Sequence, residues 1–239
     1  MRALALALLL AAAAGPVAAQ DIAINFGDDA ALATRSIQLI ALITLLSLVP
    51  GLAVMVTCFP FIVTVLSILR QAIGLQQAPP NMLIVTLALF LTWYVMDPVF
   101  TEAWVNGLQP LTTGQTDLQT ALPATVAPFR IFMAARLDPD TFTALQALRP
   151  GTVPGAMVDA PLSILVPSFL LSEIQRAFEI GFLIFLPFLI IDLVVAAVLM
   201  SMGMMMVPPA IVSMPFKLAF FVVADGWSLI SGALVRSYL

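Results

Sequence analysis

Apolar residues form long runs along this chain, and polar residues interrupt them at only a few points. No charged residue occurs between Ser36 and Leu69, and Asp192 is the one charge between Ile180 and Met206. A helix needs about 20 apolar residues to cross a bilayer. The pattern therefore predicts an all-α membrane protein of helical hairpins with broken helices. Its predicted membrane segments are about 38–59, 82–104, 181–206 and 210–235.

Prolines interrupt several of these runs, and a proline removes a helix hydrogen bond. Pro50-Gly51 and Pro60 divide the first run, so Ser36–Val49 is predicted to be too short to span by itself. Pro208 and Pro209 separate the last two segments and predict the turn of a hairpin. Irregular backbone at membrane depth is tolerated where protein surrounds it, so we expect the hairpins to pack against other protein chains.

The first 19 residues have the three parts of a bacterial signal peptide. Arg2 is basic, Ala3–Ala14 is apolar, and the small residues 17–19 form a cleavage site before Gln20. A first transmembrane helix is the alternative, but the apolar stretch is short for a span. We expect cleavage after residue 19, which leaves the mature N-terminus outside the cytoplasm.

Residues 106–160, the polar insert, carry three arginines and recurrent proline and glycine. They predict a small extramembrane, periplasmic domain between an N-terminal hairpin region, 20–105, and a C-terminal hairpin, 161–239. Within the insert, "DPDTFTALQAL" is typical of a short amphipathic helix with Asp140 or Thr141 as its N-cap. An outside loop with three arginines departs from the usual distribution of loop charges in membrane proteins.

Composition excludes several classes of function. The chain is 62% hydrophobic and 9% charged, against about 25% charged residues in soluble domains. Its net charge of −4 and sparse basic residues give no footprint for nucleic acid. Histidine is absent and Cys58 is the single cysteine, which excludes a disulfide framework and most catalytic triads and metal sites. We expect no cofactor and no metal.

Two pairs of residues have spacings that enzymes also use. Ser213 and Lys217 are four residues apart, as in a lysine-activated serine. Asp192 and Asp225 form a possible aspartyl pair. Such spacings are non-specific in a membrane protein of this size, so we predict no catalytic residue and no enzyme.

Charges within apolar segments cost about 2.5–3.5 kcal/mol each at the centre of a span, so they should face partners. The predicted buried or intersubunit charges are Glu173, Arg176, Glu179, Asp192, Lys217 and Asp225. The first three follow at steps of three and lie along one helix stripe, where opposite charges pair. With Pro208 as the apex, Lys217 and Asp192 are offset by roughly 10 Å. We therefore expect Lys217 to contact a carboxylate of another chain, or else to extend to the membrane surface.

Six of the twelve methionines lie between Val198 and Lys217, three of them consecutive. Methionine is flexible and fills irregular gaps, so these residues can be packing or lipid contacts. Alternatively, Met204, Met205 and Met206 at a hairpin apex, in a methionine-rich loop at 202–209, can form a soft plug when several copies surround an axis.

Two long stretches closely resemble the FliP family of flagellar biosynthesis proteins. The first reads "SILRQAIGLQQAPPNMLIVTLALFLTWYVMDPVF", and the second includes "GMMMVPP", "PFKL" and "ADGW". The SctR export-gate proteins of virulence type III secretion are the related branch. The resemblance covers nearly all of residues 36–239, and the signal peptide and the long insert favour the flagellar branch.

The resemblance implies a core, channel-forming component of the flagellar type III protein export gate. Such a protein passes unfolded flagellar subunits across the bacterial inner membrane, within the flagellar basal body. The implied partners are further copies of the chain wound helically with FliQ and FliR, and export proteins such as FlhB and FlhA. Carried over to this sequence, Met204, Met205 and Met206 are gasket residues inside the channel.

Two other functions fit the composition. One is a small-solute or proton-coupled transporter that uses Asp192 and Lys217 as relay residues, although no internal repeat is visible. The other is a structural scaffold whose methionine loop does not touch cargo.

Overall fold

The computed structural model describes residues 29–74, 78–149, 155–204 and 206–238. All regular structure in these ranges is helical, which confirms the predicted all-α fold. The signal peptide predicted at 1–19 lies outside the described residues, and so does Met205.

The helices follow one another with short connections. They are α1 (Asp29–Met55), α2 (Phe59–Ile73), α3 (Asn81–Ala103), α4 (Gln109–Thr112), α5 (Leu118–Arg136), α6 (Pro139–Ala147), α7 (Leu162–Ser201), α8 (Pro209–Val223) and α9 (Gly226–Arg236). A π-helix, Trp104–Leu108, joins α3 to α4, and a short 3-10 helix, Met157–Asp159, precedes α7.

The chain divides into two compact units, with the boundary between Ser47 and Leu48. In the first unit, the described side chains of α1 are exposed on every side, and most are apolar. A helix without a polar stripe is suited to a lipid or protein environment and not to water.

Helix α1 runs from Asp29 to Met55 without interruption, so the break predicted at Pro50-Gly51 is wrong. Proline is tolerated inside membrane-type helices, because local adjustments satisfy the freed backbone groups. The break near Pro60 is confirmed: the chain leaves the helix after Met55, and α2 starts at Phe59. Pro60 stands in the first turn of α2, where a missing N–H leaves no bond unmade.

The core of the second unit forms around α2, which packs most extensively against α7. Apolar residues at helical spacing, including Phe61, Val65 and Leu69, are fully buried on α2. Gly181 of α7 permits this approach, because a Cβ at that position would collide with the Ile68 side chain.

Among the described residues, three helical segments are long and apolar enough to cross a membrane: Arg35–Met55, Asn81–Thr112 and Leu162–Ser201. A fourth is present if α8 and α9, which are bent by 61° at their junction, count as one span. The segment predicted at 181–206 is therefore only the second half of a 40-residue helix. Pro167 and Pro187 lie inside this helix without ending it.

The bend between α8 and α9 occurs at Asp225, which has a left-handed backbone with φ of 48°. Gly226 follows it, and the ring of Phe221 occupies the space that a Cβ at Gly226 would need. The two residues together fix a sharp change of direction in the middle of the segment predicted at 210–235.

Helices α5 and α6 belong to the polar insert. Helix α5 packs against α3 and α7, and α6 packs against α7. The short helix predicted in "DPDTFTALQAL" is confirmed as α6, but its N-cap is Asp138 and not Asp140 or Thr141. Asp138 Oδ2 accepts hydrogen bonds from the Thr141 backbone N–H at 2.9 Å and from the Thr141 hydroxyl at 2.7 Å. The extramembrane position of the insert stays a prediction.

Candidate functional site

Residues 202–208, the methionine turn, connect α7 to α8. Gly203 has a left-handed backbone with φ of 76°, which lets the chain leave the end of α7. Pro208 is the N-cap of α8 and Pro209 its first residue, a position where proline is favoured. The two prolines therefore stand at the start of the second helix of the pair.

Methionine side chains of the turn are held at different exposures. Met206 is 96% exposed, and Met204 is 37% exposed. Met202 and Met204 border an apolar groove of about 550 Å³ between α7 and α8, whose other lining residues include Val194, Val198 and Phe216. Met204 therefore lies beside the hairpin, whereas Met206 projects from it. The gasket role predicted for these residues and for Met205 stays a prediction.

Asp192, Ser213 and Lys217, the Asp192 cluster, join α7 to α8 about halfway along α8. The Lys217 ammonium lies 2.6 Å from Asp192 Oδ2. The Ser213 hydroxyl donates a hydrogen bond of 2.5 Å to Asp192 Oδ1. Both carboxylate oxygens therefore have a partner from the facing helix.

The predicted offset between Asp192 and Lys217 is therefore wrong, because the two side chains pair within one chain. The expected contact of Lys217 with a carboxylate of another chain stays a prediction. The predicted offset takes Pro208 as the apex of a hairpin with equal arms. The helix α7 instead ends at Ser201, nine residues after Asp192, and α8 starts at Pro209, eight residues before Lys217. Residues 202–208 therefore belong to the turn and not to the first arm of the hairpin, and the two charges lie level with each other.

Lys217 also contacts the end of α2, where its ammonium donates a hydrogen bond of 3.1 Å to the Ala72 carbonyl. The last carbonyls of a helix lack partners inside it, and the helix dipole makes this end attractive to a cation. Lys217 is 5% exposed, so it does not extend to the membrane surface. A single side chain thus ties together α2, α7 and α8.

This arrangement differs from the lysine-activated serine and from the aspartyl pair that the spacings allow. A lysine that activates a serine must take up its proton, but Lys217 is held in an ion pair with Asp192. Asp192 is bonded to Ser213 and Lys217, whereas Asp225 lies at the junction of α8 and α9. Among the described residues, no three His, Cys, Asp or Glu side chains are grouped closely enough to hold a metal ion.

A second buried group, the Glu173 cluster, consists of Glu173, Arg136, Arg176 and Tyr238. Glu173 is fully buried on α7. Its Oε1 lies 3.2 Å from Arg136 Nε and 3.7 Å from an Arg176 nitrogen, and the Tyr238 hydroxyl donates to its Oε2. The predicted pairing of Glu173 with Arg176 on one helix stripe is therefore confirmed.

Arg136 and Tyr238 are not predictable from the sequence, because they are distant from Glu173 along the chain. Arg136 is the last residue of α5, and it also donates a hydrogen bond of 2.8 Å to the Ser237 carbonyl. Burial first, and then the neighbouring Glu173 carboxylate, raise the pKa of Tyr238 above its ordinary value. The phenol therefore remains a hydrogen-bond donor to Glu173. Glu179, the third member of the stripe, accepts a hydrogen bond from Gln175.

Comparison with known proteins gives consistent matches. The profile of the FliP family matches residues 42–234. The "Flagellar biosynthetic protein FliP" of Caulobacter vibrioides is 48% identical over 238 residues, which is 100% of this chain and 88% of that protein. The protein of the same name from Agrobacterium fabrum is 47% identical, covering 90% of this chain and 88% of the relative. That of Bacillus subtilis is 42% identical, covering 86% and 93%.

Proposed function

Because the chain belongs to the FliP family, we propose that it is a channel-forming component of the flagellar type III protein export gate. It is a membrane protein of flagellar biosynthesis, with several apolar helices long enough to cross a bilayer. In the proposed role it passes unfolded flagellar subunits across the bacterial inner membrane, at the flagellar basal body, with the polar insert on the periplasmic side.

The exposed methionine turn is the observation that carries this proposal. Met206 is almost completely exposed at the connection of two apolar helices, where an isolated protein gains nothing from it. A ring of such side chains from several copies excludes water and ions when it is closed. Methionine is unbranched and flexible, so the ring re-packs around a passing chain without a fixed shape match. Met204, Met205 and Met206 are the gasket residues of the proposed channel.

The surface of the chain supports assembly with other proteins. Large apolar side chains such as Phe90, Phe182 and Leu193 are exposed on α3 and α7, and surfaces of this kind are covered by lipid or by partners. The proposed partners are further copies of the chain, FliQ and FliR in a helical complex, and the export proteins FlhB and FlhA. The proposed activity is transport of unfolded protein without catalysis by this chain.

Deletion of the gene tests the proposal in the native bacterium. We expect the deletion strain to assemble no flagella and to release no flagellar subunits into the medium, while subunit synthesis continues. The wild-type gene should restore release, and a copy that lacks residues 202–208 should not. Normal release of flagellar subunits by the deletion strain would contradict the proposal.

A further inference from the structure

The second half of α7 and the whole of α8 contain very few polar side chains. Between Gly181 and Met200, Asp192 is the single polar residue of α7. Ser213 and Lys217 are the two polar residues of α8. All three meet at one point, through bonds of 2.5 and 2.6 Å. Every polar side chain that these two segments possess is therefore used in this one contact.

Apolar packing alone gives weak control over the axial position of one helix against another, because neighbouring turns present similar side chains. A polar contact is directional, and a single buried polar group is known to fix the register of paired helices. Here a slip of one helical turn, about 5.4 Å, brings Pro209 or Phe221 opposite the carboxylate in place of one of its two donors. Only one register satisfies both Ser213 and Lys217.

We propose that Asp192, Ser213 and Lys217 are positioning residues that fix the register of α8 against α7 and so set how far the methionine turn projects. The hydrogen bond from Lys217 to the Ala72 carbonyl also fixes the position of α8 relative to α2 and therefore to the core. The effect of this register on the methionine seal of the channel rests on the proposed function, whereas the register itself does not.

The register is measured by the distance between spin labels on the full-length chain in lipid nanodiscs. Leu193 of α7 and Val223 of α8 are 69% and 88% exposed, so a labelled L193C/V223C chain leaves the packing of the pair intact. Cys58 is fully buried, which keeps its thiol out of reach of the label. The chain without introduced cysteines should take up no label.

Removal of the Asp192 and Lys217 charges tests whether the Asp192 cluster is needed to fix the register. D192N/K217M leaves no buried unpaired charge, so this variant should remain folded where K217M alone can fail. We expect one narrow distance in the parent chain and a broadened or displaced distribution in D192N/K217M. D97N, the same change at an exposed carboxylate of α3, is the matched control and should keep the narrow distance.

Relocation of the carboxylate separates positioning from general stabilisation. D192N/A196D moves the acid by four residues, one turn closer to the methionine turn on the same helix face. We expect a second population displaced by about 5 Å. An unchanged narrow distance in both variants would overturn the proposal. A displaced distance in assembled complexes with normal ion leakage would support the register and overturn the sealing role of the turn.

Discussion

Arg136 covers the ring of Tyr238, with its guanidinium carbon 4.0 Å from the ring centroid. The same guanidinium lies 3.2 Å from Glu173, to which the Tyr238 hydroxyl also donates. These contacts tie the residues that follow α9 to α5 and α7. A buried carboxylate is tolerated here because three donors surround it.

Removal of Arg136 should destabilise the fold strongly. R136M leaves the fully buried Glu173 carboxylate with Arg176 at 3.7 Å and the Tyr238 hydroxyl, and breaking a buried pair in this way costs about 3–5 kcal/mol. R176M removes a partner whose side chain is 35% exposed, and such a loss costs about 0–1 kcal/mol. The free energy of unfolding in detergent, measured with a denaturant, compares them. Equal losses in the two variants would contradict the assignment of Arg136 as the principal partner.

A glycine in the π-helix allows this segment and α5 to cross closely. A Cβ at Gly107 would lie 2.7 Å from both the backbone nitrogen and the Cα of Thr125, and backbone atoms cannot give way as a side-chain tip does. We expect G107A to reduce the free energy of unfolding by about 1–3 kcal/mol or more.

Gly51 is the matched control for this substitution. It lies within α1, and a Cβ added there would meet no atom within 4 Å beyond its own stretch of helix. G51A should stabilise the chain by up to about 1 kcal/mol, because alanine is the better helix former. A loss of stability in G51A similar to that in G107A would show that the close crossing is not the cause.

The N-cap of α6 is a carboxylate, Asp138, so we expect the stability of this helix to depend on pH. Hydrogen bonds from the Thr141 side chain and backbone hold the pKa of Asp138 below its ordinary value. A carboxyl whose pKa is depressed by folding stabilises the fold above its unfolded pKa, about 3.9, and this stabilisation is lost as the pH falls through the folded pKa. We expect hydrogen-exchange protection of α6 to decrease on acidification below about pH 4.

D138N should show a weaker loss of α6 protection on acidification, because an amide can replace the carboxylate as the cap but does not titrate. D140N alters a charge in the first turn of α6 without touching the cap, and it should behave as the parent chain does. An equally strong acid response in D138N would assign the effect to another group.

The membrane segments are predictable from the sequence, because about twenty apolar residues in a row leave few structures other than a spanning helix. The ends of the helices are less predictable, because a proline in the sequence predicts a break that the structure does not always contain. Pro50, Pro167 and Pro187 all lie inside helices. Proline ends a helix when its neighbours cannot satisfy the freed carbonyl, and that depends on tertiary packing, which spacing does not encode.

Polar contacts within one helix are likewise predictable from the sequence, whereas polar contacts between helices are not. Glu173 and Arg176 are three residues apart, and their pairing follows from helix geometry. Arg136 is 37 residues from Glu173, and Tyr238 is 65 residues from it, so only the packing of the helices brings them together. The pairing of Asp192 with Lys217 escapes prediction because it depends on the length of the turn, and a glycine with positive φ at 203 ends α7 earlier than the prolines suggest.

The central claim is that the methionine turn seals a channel, and ion leakage through the assembled complex tests it most directly. M204A/M205A/M206A shortens the proposed gasket residues, and M200A, an exposed methionine of α7 outside the turn, is the control. With equal amounts of assembled complex in the membrane, we expect the triple variant to raise ion leakage several-fold and M200A to leave it unchanged, because shorter side chains no longer close the ring. Leakage of the triple variant equal to that of the parent chain would contradict the account.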